Sequence, residues 1–283
     1  MPMVRHDRRR FLASSAACAL VASGWRRAIA SAAALPAIGI QTYSLRTYKA
    51  DEALRHAKDL GFTHVEVYPG MFPITDDAAA IAAQRAMAAD LGLTISAHGV
   101  SRFTKDEAAN RKIFTYAKAL GVPVIGADPD PDSFTSLDGL VKEFDIRIAI
   151  HNHGPTHRYN KVIDVLQAIE GHDERIGACA DLGHFIRSGE KPVDVIRALR
   201  GRLYGIHLKD FAEMQDKTKG VILGRGHIDV PAVFAALEQV GFPADGALSI
   251  EYEESEKNPL ADIRECLQVA REAARVAAAG RST

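Results

Sequence analysis

The sequence predicts a single (β/α)8 TIM barrel, and three observations lead to this fold class. Apolar strand-like runs alternate with amphipathic helical runs along the chain, which is typical of repeated βα units with parallel strands. Eight such units follow one another, and their strand ends recur about every 30 residues, the size of one βα unit. Several strands also separate branched apolar side chains from small or polar ones, as expected for strands that enclose a barrel interior.

The predicted strands cover residues 38–43, 64–68, 94–98, 122–128, 147–153, 176–181, 203–209 and 247–253. In strand five, Ile148 and Ile150 alternate with Ala149, His151 and His153, and this period-two alternation determines which residues share a face. We expect the branched face to contact the surrounding helices and the other face to line the barrel. The polar residues fall at the carboxyl ends of the strands, where the active sites of TIM barrels lie.

The predicted helices cover residues 51–60, 76–91, 106–120, 160–170, 192–200, 231–240 and 259–279, with a shorter helix within 133–144. Several begin at Asp, Asn or Pro and several end at Gly, as capped helices do. Residues 211–228 form an extra loop after strand seven. A doubly wound sheet is the competing fold, but it would bury both strand faces in apolar contacts and would not line successive strands with His and Glu.

Residues 1–30 are predicted to be a twin-arginine signal peptide, which leaves residues 31–283 as the barrel domain. The arginines at 8–10 precede Phe11, Leu12 and an uncharged stretch of small and apolar residues, and Ala28 and Ala30 suit a signal peptidase. The uncharged stretch at 13–24 is too short for a membrane anchor, because a hydrocarbon core requires about 20 residues. The sequence thus predicts a periplasmic protein with no membrane association after the signal is removed.

Six of the 35 basic residues and one of the 36 acidic residues lie in residues 1–30, so the remaining chain has a net charge of −6. An acidic protein is poorly suited to nucleic acid, because basic clusters drive binding to the phosphate backbone. The expected partner is a small molecule, and the sequence leaves a homo-oligomer open. Cys179 and Cys266 lie in apolar surroundings and do not make a disulfide framework, so we expect both in the core.

Four polar residues are predicted to meet at the barrel mouth, because each ends one of four consecutive strands: His151, Asp181, His207 and Glu251. Two imidazoles and two carboxylates suit one divalent ion such as Mn²⁺, Zn²⁺, Co²⁺ or Fe²⁺, with Mg²⁺ also open. Without an ion or a substrate, polar groups crowded at one mouth would be costly. We expect Mn²⁺ in particular, because a protein exported in the folded state would load its metal in the cytoplasm, away from periplasmic copper and zinc.

The strand-end motifs, in this order, resemble the sugar phosphate isomerases and epimerases of the xylose isomerase-like superfamily over essentially residues 37–270. The matching segments are 40–46 (IQTYSLR), 65–66 (VE), 151–153 (HNH), 181–184 (DLGH), 206–210 (IHLKD), 224–229 (GRGHID) and 250–253 (IEYE). The resemblance implies a metal-assisted proton transfer beside a sugar carbonyl, with Glu, Asp, His and Glu ligands from strands five to eight. Asp181, His207 and Glu251 match that ligand set.

Strand five departs from the family pattern, because His151 stands where the family's glutamate is expected, although an HNH variant of this strand occurs within the superfamily. In the epimerases the carboxylates of strands five and eight also act as the paired acid and base. A metal-bound imidazole is a poor base, so another side chain would have to move the proton. The catalytic candidates are Lys209, His184 and Glu66, with His153 as a further alternative.

Two of these candidates admit two interpretations. His184 either faces the substrate, as its equivalent does in the family, or orients a metal ligand. Lys209 shares a strand face with His207, so it either steadies a substrate oxygen or simply pairs with Glu251 or Glu253.

The remaining strand ends are expected to line the sugar pocket. Tyr43, His98 and His153 are the predicted substrate-binding residues, with Glu66 beside them. The Gly-x-Gly at 224–226 is more simply a backbone turn than a phosphate-binding loop, because it lies outside a strand–helix junction.

The sequence therefore predicts a periplasmic, metal-dependent enzyme that acts on a sugar or keto-sugar by enolisation. Isomerisation, epimerisation, dehydration and β-elimination from a 3-keto-glycoside all begin with this step and stay open. Apurinic endonucleases share the superfamily, but they use a three-zinc cluster and a basic surface that faces DNA. The net charge of −6 and the predicted signal peptide argue against that function for this chain. A non-catalytic sugar-binding barrel is the second rival.

Overall fold

Eight parallel strands close into a barrel in the computed structural model, which describes residues 35 and 37–279. The described residues form ten strands, and all but β8 and β9 belong to the barrel. In chain order they are β1 (Gly39–Gln41), β2 (His64–Val67), β3 (Thr94–Phe103), β4 (Val124–Pro129), β5 (Arg147–His151), β6 (Ile176–Asp181), β7 (Leu203–Leu208), β8 (Asp210–Phe211), β9 (Gly220–Val221) and β10 (Ala247–Ile250). The barrel runs from β1 to β7 and closes through β10, which pairs with β7 and β1. The predicted fold class is confirmed.

Nine α-helices in the described residues surround the barrel. They are α1 (Ala50–Leu60), α2 (Ala78–Ala89), α3 (Glu107–Leu120), α4 (Phe134–Phe144), α5 (Val162–Ile169), α6 (Leu182–Arg187), α7 (Pro192–Ala198), α8 (Val230–Val240) and α9 (Leu260–Ala279). The short α6, directly after β6, is absent from the sequence prediction. Tyr43 was assigned to strand one, but it lies in a 3₁₀ helix, Thr42–Leu45, that begins as soon as β1 ends.

The two faces of the barrel strands differ as their alternation predicts. The branched residues, such as Ile148 and Ile150, belong to the main core between the strands and the helices. Small side chains form a separate buried cluster inside the barrel, composed of Ala97, Val124, Ala149, Cys179 and Ala247. Cys179 and Cys266 are both free and buried, as expected for core cysteines. The polar site at the mouth therefore lies above a layer of small side chains.

A register shift in β3 changes the predicted face of His98. The shift pairs Glu66 of β2 with Ala97, so Ala97 and not His98 belongs to the inner cluster. His98 is fully buried, its Nε2 lies 2.9 Å from the carbonyl oxygen of Phe72, and its ring packs against Tyr116 of α3. The predicted position of His98 in the sugar pocket is therefore corrected. A bulge reverses the alternation of a strand, and simple period-two counting does not detect it.

The extra loop after β7 is organised around the carboxylate of Asp210. This side chain accepts hydrogen bonds from the backbone N–H groups of Gly224 and residues 226–228, at distances of 2.8–3.1 Å. The antiparallel pair β8 and β9 lies within this loop. A Cβ at Gly226 would lie only 2.1 Å from the carbonyl oxygen of Phe211, so glycine is required there. The Gly-x-Gly is thus a backbone turn whose amides bind a protein carboxylate.

The predicted signal peptide and its boundary at residue 30 lie outside the described residues. Among the described helices, none combines the length and the hydropathy needed to cross a membrane.

Candidate active site

The four predicted metal ligands lie together at the carboxyl ends of β5, β6, β7 and β10. His151 Nε2 lies 3.0 Å from His207 Nδ1 and 3.6 Å from Asp181 Oδ2. His207 Nδ1 lies 3.7 Å from Asp181 Oδ2 and 3.0 Å from Glu251 Oε2. The four residues are buried, and their ligand atoms all lie within 4.8 Å of one another. The strands thus bring their last polar side chains to one point, as their alternation predicts.

Asp181 is held in place by two neighbouring segments. Its Oδ1 accepts the backbone N–H of His184 at 2.7 Å, which makes Asp181 the N-cap of α6. Asn152, directly after β5, accepts the Asp181 N–H at 2.8 Å and donates to the Asp181 carbonyl oxygen at 3.1 Å. Because Oδ1 and both backbone groups are bound, Oδ2 is left to face the histidines.

A cavity of about 440 Å³ opens over the cluster, and its walls differ in chemistry. Tyr43, Tyr68 and Val100 line one side, with the two tyrosine rings edge to face at a centroid distance of 5.4 Å. The polar lining residues are His151, His153, His184, Lys209, Glu251 and Glu253. Tyr43 and His153 therefore line the cavity, as predicted for substrate-binding residues. An aromatic side facing a polar side suits the apolar and hydroxyl faces of a sugar.

Glu66 does not reach this cavity, although the sequence makes it a catalytic candidate. Its Oε1 lies 3.1 Å from His207 Nε2, and its Oε2 accepts a hydrogen bond from Ser249 Oγ at 2.8 Å. Glu66 is 1% exposed and lies behind His207, on the side of the ring away from the cluster. Its predicted role as a base acting directly on substrate is therefore corrected. Strand alternation gave the inward face, but not the depth of the side chain in the barrel.

Lys209 is buried among three carboxylates. Its Nζ lies 2.6 Å from Glu253 Oε1, 2.7 Å from Glu251 Oε2 and 2.8 Å from Asp181 Oδ2, and only the contact with Glu253 has hydrogen-bond geometry. A Cβ at Gly183 would lie 2.6 Å from Lys209 Cγ, so the glycine leaves room for the lysine side chain. Lys209 lines the cavity and also pairs with Glu251 and Glu253, as one of the two interpretations predicts, and its contact with a substrate oxygen stays a prediction.

The charges around Lys209 and His207 shift their pKa values upward. Burial alone lowers the pKa of Lys209, but Asp181, Glu251 and the other nearby carboxylate raise it well above its usual value. Burial also lowers the pKa of His207, and its acidic neighbours, Glu66 and Glu251 among them, raise it well above the usual value. The nearby carboxylates therefore favour the protonated, cationic form of Lys209.

His153 and His184 also face the cavity but lie outside the ligand set, and their pKa values are shifted downward. Burial is the main cause that lowers the pKa of His184 well below its usual value. Burial, together with His151 and His157, lowers the pKa of His153 to about 3. The rings of His153 and His184 lie 5.5 Å apart. The lowered pKa values favour the neutral imidazole in both residues, which can donate or accept a hydrogen bond.

The donor set fits one divalent ion. Asp181 Oδ2 and Glu251 Oε2 are buried, and apart from their ion pairs with Lys209 and the histidines they have no hydrogen-bond partner among the described residues. The contacting ligand atoms lie 3.0–3.7 Å apart, and adjacent ligands about 2.1 Å from one ion are separated by about 3.0–3.5 Å. His151 and His207 would supply the two nitrogen ligands. Two imidazoles and two carboxylates suit Mn²⁺, Zn²⁺, Co²⁺ or Fe²⁺ better than Mg²⁺, which prefers oxygen.

A larger cavity, of about 830 Å³, lies between α2 and α3 on the outside of the barrel. Its charged lining residues include Arg85, Arg111 and Lys112, and it holds none of the predicted ligands. Functional sites combine a pocket with convergent polar groups and buried titratable residues whose pKa values are shifted, and the smaller cavity has both. We therefore place the candidate active site in the smaller cavity at the barrel mouth.

Three residues of the site are given no role by the sequence prediction: Asn152, Gly183 and Ser249. Asn152 could have been found because it is polar at a strand end where alternation predicts an outward apolar residue. Ser249 shares the inward face with Glu251 and could have been found by following that face deeper into the barrel. No local sequence signal links Gly183 to the lysine side chain that crosses it.

The chain is similar to known proteins in sequence and in fold. The sequence profile of a family described as xylose isomerase-like TIM barrel matches residues 54–273. An inosose dehydratase from Clostridium botulinum is 29% identical over 142 residues, which cover 44% of this chain and 47% of the dehydratase. The chain therefore spans about half the length of that relative. A 3-oxo-isoapionate decarboxylase from Pectobacterium atrosepticum is 27% identical over 225 residues, which cover 70% of this chain and 79% of the decarboxylase.

A solved structure of an L-ribulose 3-epimerase has the same fold. It superposes with a TM-score of 0.69 at 18% identity, covering 88% of this chain and 97% of the epimerase chain. At this identity the likeness concerns the barrel alone.

Proposed function

The chain belongs to the xylose isomerase-like TIM barrel family, and on that premise we propose that it is a divalent-metal-dependent enzyme acting on a sugar or keto-sugar. The proposed reaction begins by removing a proton from the carbon next to a carbonyl group. The observation that carries the proposal is the convergence of His151 Nε2, Asp181 Oδ2, His207 Nδ1 and Glu251 Oε2 beside a cavity of sugar size.

The four ligand residues would hold one divalent ion. A bound ion would supply a positive charge beside the carbonyl oxygen and so stabilise the negative charge that develops there. A carbon-bound proton next to a carbonyl is too weakly acidic for a side-chain base alone, so the negative charge that develops on the oxygen must be stabilised, and a bound ion would do this.

Two residues of the polar lining, His184 and Lys209, divide the proton chemistry between them. His184 faces the cavity, so we assign it as the base that accepts the carbon-bound proton. Its Nε2 lies 3.9 Å from Asp181 Oδ2, whose negative charge would stabilise the imidazolium that forms and so offset the effect of burial. The electron pair of the broken C–H bond moves to the carbonyl oxygen, and the Lys209 ammonium donates a hydrogen bond to that oxygen. His153 lines the same wall and would bind a neighbouring hydroxyl.

The fate of the proton determines the reaction class. Delivery of a proton to the same carbon from the opposite face, by a second group or by solvent, gives an epimer, and transfer of a proton to the former carbonyl carbon gives an isomer. Loss of a leaving group from the next carbon gives a dehydratase or lyase, and the similarity to an inosose dehydratase supports this as the second candidate. A keto-inositol or a 3-keto-glycoside would be the substrate in that case.

Hydrogen exchange in D₂O tests the proposal. Mn²⁺-loaded protein is incubated with a panel of keto-sugars, 3-keto-glycosides and a keto-inositol, and deuterium at the carbon beside the carbonyl is followed by NMR. We expect exchange with at least one substrate, and its loss when the protein is stripped with a chelator. The same spectra separate an epimer or isomer from an eliminated product.

The matched control is His56→Gln, because His56 lies on α1 outside the cavity lining. This variant should exchange the substrate at the wild-type rate, while His184→Gln should not. If sugars bound but none of the panel exchanged hydrogen, the result would contradict the proposed enzyme and favour a non-catalytic sugar-binding barrel.

A further inference from the structure

We infer that Glu66 is a positioning residue whose carboxylate fixes the ring of His207 so that Nδ1 faces the proposed metal. This rests on the proposed function, because it assigns Glu66 a role toward the same ion. Glu66 does not touch the substrate cavity, so its effect would pass through the histidine.

The geometry joins three barrel strands at one imidazole. Glu66 on β2 lies across the barrel interior from His207 on β7, with Oε1 3.1 Å from Nε2. The second carboxylate oxygen accepts a hydrogen bond from Ser249 on β10 at 2.8 Å. The side chains of Glu66 and His207 are only 2% and 1% exposed. The carboxylate is therefore bound at both oxygens and sheltered from solvent.

The chemistry of imidazole gives this contact a direction. Metal binding requires the neutral form of His207, and a neutral imidazole carries its proton on one nitrogen and a lone pair on the other. A carboxylate at Nε2 keeps the proton on that nitrogen, so the lone pair of Nδ1 is directed at Asp181 Oδ2 and Glu251 Oε2. Carboxylate partners of this kind orient metal-binding histidines and strengthen their binding.

A second interpretation of the same residues makes a different prediction. Glu66, His207 and Cys179 also have ligand atoms within 4.8 Å of one another, so they could hold a second ion. That site would require His207 to lose the proton from Nε2 and bridge two metals. The hydrogen bond at 3.1 Å accounts for Glu66 without a second ion, and metal stoichiometry separates the two interpretations.

The test uses full-length protein stripped of metal and titrated with Zn²⁺ against a chromophoric chelator. We expect one Zn²⁺ per chain in wild type and in every variant. Glu66→Ala should weaken Zn²⁺ binding about 10–100-fold. Glu66→Gln keeps an acceptor oxygen without the charge, so its loss should be smaller, and a few-fold loss is expected for Ser249→Ala.

The matched control is Ser101→Ala. Ser101 is a buried strand serine whose hydroxyl has no hydrogen-bond partner among the described residues. Removing it should leave Zn²⁺ affinity unchanged, which separates a specific contact from general disturbance of the barrel. Glu66→Gln has nearly the wild-type shape, so it keeps the test informative if Glu66→Ala fails to fold.

A second readout does not depend on affinity or activity. The imidazole N–H region of the proton NMR spectrum of Zn²⁺-loaded protein should contain a slowly exchanging N–H from His207, identified by its loss in His207→Gln. The signal should be absent in Glu66→Ala and present in Ser101→Ala.

Wild-type Zn²⁺ affinity in both Glu66 variants would overturn the inference while leaving the proposed function intact. Two ions in wild type and one in Glu66→Ala would also overturn it, because Glu66 would then be a ligand. No ion in wild type would defeat the proposed function itself, and the inference with it.

Discussion

Asn152 binds both backbone groups of Asp181 with its side-chain amide, accepting the N–H at 2.8 Å and donating to the carbonyl oxygen at 3.1 Å. The two residues end adjacent barrel strands, β5 and β6, and both are fully buried. Where the strand ladder ends, the amide therefore continues it and fixes the backbone of a proposed metal ligand. Two consequences follow, one for stability and one for the metal site.

Asn152→Ala should destabilise the protein and weaken metal binding together. The substitution leaves a buried N–H and a buried carbonyl of Asp181 without partners, which costs about 1–3 kcal/mol for each unsatisfied group. Asp181 should then lose its orientation, so Mn²⁺ affinity falls as well. Urea unfolding gives the first quantity, and calorimetric titration with Mn²⁺ gives the second.

Asn110 supplies the matched control. Its side chain binds Thr104 in the same way, accepting the Thr104 N–H at 3.1 Å and donating to the Thr104 carbonyl at 2.7 Å, but it lies on α3 away from the cluster. Asn110→Ala should lose comparable stability and keep wild-type Mn²⁺ affinity. Equal losses of affinity in both variants would mean that Asn152 has no specific effect on the metal site.

Asp181→Asn should abolish metal binding and leave the barrel folded. Asparagine remains a good N-cap, so α6 can still begin at residue 181, but the uncharged amide is a poor ligand. Asp181→Ala should also lose the metal, with an additional loss of stability because the cap is removed. Elemental analysis of the purified variants and their circular dichroism spectra measure these outcomes.

Asp106→Asn is the control for the same chemical change. Asp106 is the N-cap of α3, and its carboxylate accepts the Ala109 N–H at 3.0 Å. This variant should contain as much metal as wild type. Metal retained in Asp181→Asn would show that the ion, if present, binds elsewhere.

The sequence predicted the barrel and the four clustered residues because both depend on periodicity. Alternation in β5 and β7 gives the face of His151 and His207, and the closure of parallel strands brings their carboxyl ends together. These relationships need only the strand geometry, so they survive errors of one or two residues at the strand ends.

The sequence did not predict what depends on depth or on breaks in regularity. Glu66 has the expected face, but how far its carboxylate lies below the mouth depends on the tilt and stagger of the strands. His98 was misplaced because a register shift reverses its face. Asn152 binds across the strand ends, and neither strand alone contains the signal for that contact.

Export can also be tested. It is predicted to depend on residues 1–30, which lie outside the described part of the chain. We propose a twin-arginine signal, on the basis of the arginines at 8–10 that precede Phe11 and Leu12. Replacing Arg8 and Arg9 by Lys keeps the charge and should leave the unprocessed precursor in the cytoplasm. Immunoblots of cytoplasmic and periplasmic fractions measure the outcome, with Arg26→Lys as the control. Periplasmic accumulation of the double variant at the wild-type level would remove the twin-arginine proposal.

We propose that Lys209 supplies a cation and that His184 accepts the proton, and substitutions that remove one property at a time test these two roles. Lys209 Nζ lies among three carboxylates, which favour its protonated form, so we expect this position to supply a cation. Lys209→Arg keeps the cation and should retain more deuterium exchange than Lys209→Met.

His184→Gln keeps a hydrogen-bonding side chain but cannot accept the proton, so exchange should fall by about 10²–10⁴-fold, the contribution of a positioned base. All variants should hold wild-type amounts of Mn²⁺, which elemental analysis checks before the rates are compared. Lys191→Met is the control, because Lys191 is exposed and precedes α7. If Lys209→Arg and Lys209→Met lost exchange equally while His184→Gln kept it, the lysine would be the base. The pKa shift that the surrounding carboxylates impose argues for the opposite result, since they stabilise the protonated lysine.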